Sequence, residues 1–414
     1  MRRRMMLKTQ VRYVPVEYIE SSGTQYIDTG VVPDDTTGFY VDAQKQLNDN
    51  SDAVIIGART GTARCWLNID HSNAGRGNVS IGWINYTAGT EAGAEFIGLD
   101  RFKISVNLNN SRVCLIDDVE FANGTNLLKS TLSTQSYPFY LFGANDKGTF
   151  NIAGSYKCYA VKISKNNTII RNFIPVKDII NNVYGMFDTV TEKFYGNAGT
   201  GAFTAGPEIK RVDYIQSDGY QYIDVGTNFD FGMEYQFKYD ADVTQIRSTS
   251  GKWLIFGTNA SNNEVMVGYK SGLSGSLVSN YLGGGTSSYD NTTTLKEVYL
   301  RIKSGDYLLK INGVDSIIST STTRPPMYFK NAYVFASYGT TTATDVDSFV
   351  VGKFYYFKAW QNDVLVRDFI PILLGTEYAM LDLVEWKIYR NAGTGAFTGG
   401  PDLLDDYDLL TRLY

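Results

Sequence analysis

Residues 196–209 read GNAGTGAFTAGPEI, and residues 390–403 read RNAGTGAFTGGPDL. How these glycines are read decides the fold. A glycine-rich loop cradles phosphate when it joins a strand to a helix N-terminus and carries Lys-Ser/Thr or a distal acid. Neither copy has that setting: Pro207 and Pro401 end the phrases, and no helical pattern follows the first. The reading that remains is a structural turn that closes a unit. Asn197, Gly199 and Gly201 are expected to take positive φ there, with Phe203 plugging the edge of a sheet layer.

Working outward, three further landmarks recur in the same order. VEYIESSGTQYIDTG (Val16 to Gly30) matches VDYIQSDGYQYIDVG (Val212 to Gly226), and IIRNFIPV (Ile169 to Val176) matches LVRDFIPI (Leu365 to Ile372). VYGMFDTVTEKFYGNAGTG (Val183 to Gly201) matches EYAMLDLVEWKIYRNAGTG (Glu377 to Gly395). The period is the size of a domain, far longer than a solenoid repeat, and points to duplication of one fold. The expected organisation is a basic arm over 1–14, modules over 15–209 and 210–402, and a tail over 403–414.

Each copy reads as β. Short runs rich in branched and aromatic residues are separated by Asn, Gly, Ser and Thr clusters, the pattern of an antiparallel sandwich. In the first copy they are Gly38 to Gln44, Ala53 to Gly57, Val79 to Ile84, Phe102 to Leu108, Arg112 to Ile116, Phe139 to Phe142 and Tyr156 to Ile163. In the second they are Tyr235 to Ala241, Trp253 to Phe256, Glu264 to Tyr269, Glu297 to Ile302, Tyr307 to Ile311, Ala332 to Ala336 and Gly352 to Trp360. Asn312-Gly313 signals a tight hairpin turn. Arg171 and Asp188, with Arg367 and Asp382, recur at similar spacing and are expected to pair across late strands.

Composition narrows the function classes. The 414 residues are 43% apolar, with 30 Tyr, 22 Phe and 40 Gly, and carry a formal net charge of −5. That charge gives no basic footprint for nucleic acid, and no apolar run is long enough for a membrane helix. Cys65, Cys114 and Cys158 are odd in number and form no disulfide framework, which fits a reducing compartment. MRRRMMLKTQ begins like a secretion signal but lacks its apolar stretch, so cytoplasmic synthesis without export is expected.

The doubled landmarks resemble the concanavalin A-like, laminin-G-like jelly-roll modules of bacteriophage structural proteins and bacterial surface proteins. The likeness covers about residues 15–207 and 211–401. It implies an all-β chain of two tandem antiparallel β-sandwich modules, each with its N- and C-terminal strands side by side. It implies no single activity, because sites are grafted onto such folds.

No catalytic constellation is apparent. The paired carboxylates of a glycosidase strand are absent; DDVEF (Asp117 to Phe121) and DLVEW (Asp382 to Trp386) come nearest. His71 is the single histidine, set in a polar stretch read as a loop, so an enzyme is not expected. No cofactor is expected either, with Ca2+ the one candidate, at Asn68 to Gly75 and Thr342 to Ser348. Glycan binding would draw on Trp66, Asp70, His71, Asn73, Trp83 and Tyr86, and on Tyr281, Tyr289 and Asp290. The two tryptophans read better as core than as sugar platforms.

The ends are candidate assembly elements: Arg2, Arg3 and Arg4 in the arm, and Leu403, Tyr407, Leu410 and Tyr414 at helical spacing in the tail. The sequence-based expectation is a non-enzymatic virion protein on the exterior of a phage particle, as capsid decoration, head fibre or tail-associated component. Its expected partners are other virion proteins, copies of itself and cell-surface glycans. The alternative is a bacterial surface or secreted glycan-binding adhesin, and a degraded glycosidase stands third.

Overall fold

In the computed structural model, the described residues are 12–46, 53–60, 63–73, 76–83, 93–97, 101–107, 113–122, 135–228, 232–246, 252–260, 263–270, 277–281, 287–289, 295–303, 306–319, 331–338, 346–347 and 349–403. In several strands of the second sheet of each module only the backbone is described. The chain divides into two compact units that meet at Ile209 and Lys210. Every regular element described is a strand.

The first unit packs two sheets on one core. The larger runs, in spatial order, Val119–Ala122, Val113–Ile116, Arg101–Asn107, Thr37–Lys45, Tyr156–Lys165, Thr168–Asp178, Val183–Asp188 and Lys193–Tyr195. The second unit repeats this order with Val314–Ser319, Asp306–Ile311, Leu295–Lys303, Met233–Ile246, Val350–Gln361, Val364–Leu374, Glu377–Asp382 and Lys387–Tyr389. All these neighbours are antiparallel. The duplication read in the sequence is thus a duplication of topology.

Alternation along the strands separates core from solvent. In Arg101–Asn107 the residues Phe102, Ile104 and Val106 are buried, and their neighbours face outward. They meet Ile56, Cys65, Leu67 and Leu141 of the second sheet in one apolar cluster. In the second unit Tyr235, Phe237 and Phe357 meet Phe256, Val267 and Val334 in the same way. Burying such side chains contributes roughly 1.5–3 kcal/mol each against the chain entropy of folding.

Two-residue turns with positive φ at both positions join matching strands in the two units. Asp117-Asp118 and Asn312-Gly313 form one pair, Asn166-Asn167 and Asn362-Asp363 the other. This twist suits tightly joined antiparallel strands, as the Asn-Gly signal predicts.

The glycine-rich phrases close each module, as read, but by a different local mechanism. Only Gly201 (φ 71) and Gly395 (φ 75) take left-handed backbone. Gly199 is required by close approach, because a Cβ there would lie 2.2 Å from the Thr24 carbonyl oxygen. Asn197 works through its side chain, accepting from the N–H of Tyr26 (3.2 Å) and Gly199 (2.8 Å) and donating to Gly201 O (3.0 Å). Gln25 donates to Ala202 O at 3.2 Å, and Gln221 to Thr394 O at 3.2 Å, so each opening landmark clasps the closing one. Thr204–Ala205 then pairs with Ile19–Glu20, and Thr398–Gly399 with Ile215–Asp218.

Phe203 is 4% exposed and packs on Phe142, with ring centroids 5.1 Å apart; Phe397 packs on Phe335 at 5.6 Å. Phe142 (φ 68) and Phe335 (φ 69) hold left-handed backbone, unusual for a bulky residue. In the first unit this reversal turns the chain from the antiparallel pair Tyr140–Leu141 into the parallel pair Gly143–Asp146, both on Ala53–Thr60. The strain persists because the rings are locked in the core.

One expectation is corrected. The polar stretch around His71 is strand, not loop: Ala63–Asn73 continues opposite Arg76–Trp83, with Asp70 facing Asn78 and Asn73 facing Arg76. Backbone pairing within a hairpin extends the ladder without any apolar alternation to announce it.

Candidate functional site

The most developed cluster of polar side chains in the second module lies on the outward face of its larger sheet. Core-facing Tyr235, Phe237 and Tyr239 force Glu234, Gln236 and Lys238 outward on the same strand. Val298, Leu300 and Ile302 do the same for Glu297, Tyr299 and Arg301. Register then sets Gln236 opposite Tyr299, and Tyr299 opposite Lys310.

Hydrogen bonds hold this row in place. Glu297 Oε1 accepts from Gln236 Nε2 at 2.7 Å and from Tyr356 Oη at 2.8 Å. Tyr299 Oη donates to Glu234 Oε2, which shares its carboxylate with Lys303 at 2.9 Å. Arg301 pairs with Asp306 at 2.7 Å and Lys310 with Asp315 at 2.9 Å. Arg301 Nε is buried with no hydrogen-bond acceptor among the described residues.

Partial burial and the bond to Glu234 push the Tyr299 phenol up to about 12; burial and Glu297 push Tyr356 up as well. Both therefore remain protonated donors at neutral pH.

Gln236, Glu297, Tyr299, Arg301, Lys310 and Gly313 line an open groove of about 390 Å3. It offers acceptors in the Glu297 carboxylate, the Gln236 amide oxygen and the Tyr299 phenol oxygen, and cationic donors in Arg301 and Lys310, spaced along a flat face. Such a set matches the hydroxyls of a sugar ring, which both donate and accept. Nothing in the sequence distinguishes these residues from an ordinary solvated strand face; strand register alone assembles them.

The first module carries a groove of about 340 Å3 that overlaps this place at Tyr40, Ser105 and Asn107 and extends from there over Lys162, Ser164, Asn167 and Ile169. Tyr40 stands opposite Ser105 and Lys162, as Gln236 stands opposite Tyr299 and Lys358.

The residues singled out from sequence fall elsewhere. Trp66 is 3% exposed in a small cluster with Val54 and Ala144, and Arg64 covers its ring at 4.6 Å. Its ring is therefore not an open sugar platform; alternation sends Cys65 and Leu67 to the main core, and Trp66 is capped on the other face. Asp70, His71, Asn73 and Trp83 lie on strands whose side chains at those positions are outside the described set, as do Tyr281 and Tyr289. Tyr86, Asp290, Arg2, Arg3, Arg4, Tyr407, Leu410 and Tyr414 lie outside the described residues. Leu403 is described and belongs to the edge of the second module, donating its N–H to Arg211 O at 3.0 Å. Of the two proposed calcium stretches, residues 68–73 and 346–347 are described, with Asn68 the one side chain described among them. Among the described residues no group of three or more His, Cys, Asp or Glu side chains is placed to hold a metal ion.

The Arg–Asp pairs of the landmarks form as expected. Arg171 Nε stands 3.5 Å from Asp188, and Arg367 Nε 3.7 Å from Asp382, with both aspartates fully buried. Asp188 accepts from the N–H of Asn172 and Val190 and from the Thr191 hydroxyl. At the position matching Thr191 the second module has Glu385, which draws Arg367 to itself at 2.6 Å. Asp382 keeps the N–H donors of Asp368 and Val384, but its Oδ2 receives no hydrogen bond among the described residues. Burial pushes its pKa up to about 6, with Glu385 adding to the rise and Arg367 opposing it. Asp382, the acid of the DLVEW run, is thus a core anchor.

No protein-family model matches the sequence. No curated protein matches it. Among solved structures, the chain is similar to domains LG4-5 of the mouse laminin alpha1 chain, at 11% identity and TM-score 0.30, covering 94% of this chain and 93% of that one. It is similar also to a Bacteroides ovatus protein described provisionally as carbohydrate-binding, at 9% identity and TM-score 0.31, again covering 94% and 93%. A third likeness is the NanB sialidase of Streptococcus pneumoniae, at 9% identity and TM-score 0.26, covering 92% and 75%. At these identities and scores the likenesses carry no argument about activity. The assignment of this chain as an all-β protein of two tandem antiparallel sandwiches stands on its own strand order and registers.

Proposed function

We propose that this chain is a non-enzymatic glycan-binding display protein, with its sugar contacts on the outward face of the larger sheet of each module. The observation that carries the reading is the hydrogen-bonded trio Gln236, Glu297 and Tyr356, with Tyr299 held beside it by Glu234, so that these groups are fixed before any ligand arrives. Preorganisation of this kind reduces the ordering cost of binding a weakly held ligand such as a sugar. The shallow groove encloses no deep cleft, which suits binding of a chain end or repeat unit more than chemistry upon it.

The setting that fits is the exterior of a bacteriophage particle, where tandem sandwich modules present outer loops and sheet faces to host or mucosal glycans. Support for that setting is the likeness of the doubled landmarks to phage structural modules. Neighbouring virion proteins and further copies of the chain are its proposed partners.

The test is a glycan array probed with the full chain and with Glu297→Gln and Tyr299→Phe. Binding to a defined set of glycans that falls at least about tenfold in either variant supports the reading; tenfold corresponds to about 1.4 kcal/mol. Binding to no glycan, or binding that both variants leave intact, overturns it.

A further inference from the structure

One corner of the first module presents apolar side chains to water with a fixed backbone behind them. Asp178, fully buried, ends the strand Thr168–Asp178 and faces Val183 across the turn 179–182. Its carboxylate accepts from Arg12 (2.9 Å), from the N–H of Ile180 (3.1 Å) and Asn181 (3.3 Å), and from the Asn181 amide (2.9 Å). The turn so held leaves Ile179, Ile180 and Val183 exposed by 38%, 63% and 43%. Tyr13 stands on the other side of Asp178, its ring stacked on Phe194 with centroids 5.4 Å apart, and extends the apolar face.

The matched corner of the second module is polar. Leu374 faces Glu377 where Asp178 faces Val183, and Gly375-Thr376 replaces the Ile-Ile-Asn-Asn turn. Glu377 is paired with Arg390 at 3.1 Å. The modules differ also in what precedes them. The chain leading to the second is already committed, since Thr204–Ala205 pairs with Ile19–Glu20 and Glu208 bridges to Val16. The chain leading to the first is residues 1–11, MRRRMMLKTQV, which lie outside the described residues.

We infer that the exposed corner of the first module is the docking site of this preceding segment, with Met5, Met6 and Leu7 laid over Ile179, Ile180 and Val183. The chain enters the sheet at that corner, because Arg12 O accepts from the Ile179 N–H at 3.0 Å. Val183 stands two strands from Tyr13, about 10 Å away at ordinary strand spacing. Leu7 precedes Arg12 by five residues, a reach of up to about 17 Å. The small size of the patch favours a tethered occupant. Three partly exposed side chains fall far short of the roughly 800 Å2 per partner that a stable interface between free molecules buries. A segment joined to the patch has a local concentration on the order of millimolar and needs less contact. Methionine suits such a surface, because its unbranched side chain adapts to irregular apolar relief. The second module, whose leading chain is committed elsewhere, has a polar turn that needs no cover.

The test is limited trypsin digestion of the full chain, with cleavage of the Lys8–Thr9 bond followed by mass spectrometry. Each rate is divided by that of an isolated peptide spanning residues 1–14 of the same sequence. The variants are Ile180→Ser, on an exposed turn; Leu7→Ser, in the segment; and Val364→Ser, an exposed position of the second module, as control. The expected result is cleavage at least about tenfold slower in the chain than in the peptide, the ratio given by burying one apolar side chain. This protection should be lost in Ile180→Ser and in Leu7→Ser and kept in Val364→Ser. Docking within one chain also leaves protection unchanged over about a hundredfold dilution. Equal rates in chain and peptide overturn the inference, as does protection that Ile180→Ser or Leu7→Ser leaves intact. Protection that falls on dilution, with the mass of two chains by light scattering, makes a second copy the occupant and overturns it too.

Discussion

Replacing Asp382 by Asn isolates a single buried titration. The carboxyl is fully buried, one of its oxygens receives no hydrogen bond among the described residues, and its pKa in the folded chain is about 6 against an ordinary 3.8. Between those values the folded state holds a proton that the unfolded state has released. Stability contributed by this group is therefore fully present below about pH 4 and is lost as pH rises through about 6. Two units at about 1.36 kcal/mol each come to roughly 3 kcal/mol. Asn keeps the acceptor for the Asp368 and Val384 N–H groups and does not titrate.

The assay is urea unfolding of the full chain from pH 4 to 8, following the second-module transition. Trp386, 5% exposed and close in sequence, is a suitable reporter. Wild-type stability minus that of Asp382→Asn should fall by about 3 kcal/mol across this range, then level off. Glu385→Thr, which copies the first module's hydroxyl and removes a neighbouring acid, should flatten the wild-type curve. A difference that is constant, or that rises with pH, refutes the account of this site.

Three further outcomes follow from the fold. Phe203→Ala should destabilise the first module by about 3–5 kcal/mol, and Phe397→Ala the second by a similar amount, because each empties the pocket beside a left-handed Phe; thermal melts of the full chain read this, and a loss under 1 kcal/mol contradicts the plug. Gly199→Ala and Gly393→Ala should each cost more than about 2 kcal/mol in denaturant unfolding, since the added Cβ meets a backbone oxygen at 2.2 Å and 2.1 Å. Arg171→Met should lower first-module stability by about 1–3 kcal/mol, kept modest by the three other donors to Asp188. An unchanged melting temperature would remove the pair from the list of anchors.

The sequence by itself determined the class, the duplication and the closing elements. Repetition was legible because the residues that clasp each module, Gln25 with the 196–207 phrase and Gln221 with 390–401, cannot vary without breaking a backbone contact. Strand character was legible wherever one face is core, since alternation then writes burial into the chain, as in Leu295–Lys303. Where pairing is carried by backbone alone, as around His71, polar side chains hid the strand. The left-handed turns at Phe142 and Phe335 were likewise invisible, because a phenylalanine in an apolar run announces burial and not φ.

The candidate site belonged to tertiary structure entirely. Gln236, Glu297 and Tyr356 are separated by 61 and 59 residues, yet one side-chain network joins them. Along each strand they are only the outward half of an alternation, indistinguishable from a solvated surface. Sheet register brings them together, and register is set by the buried half. The core thus decides, at a distance in sequence, which polar groups meet on the face that water sees.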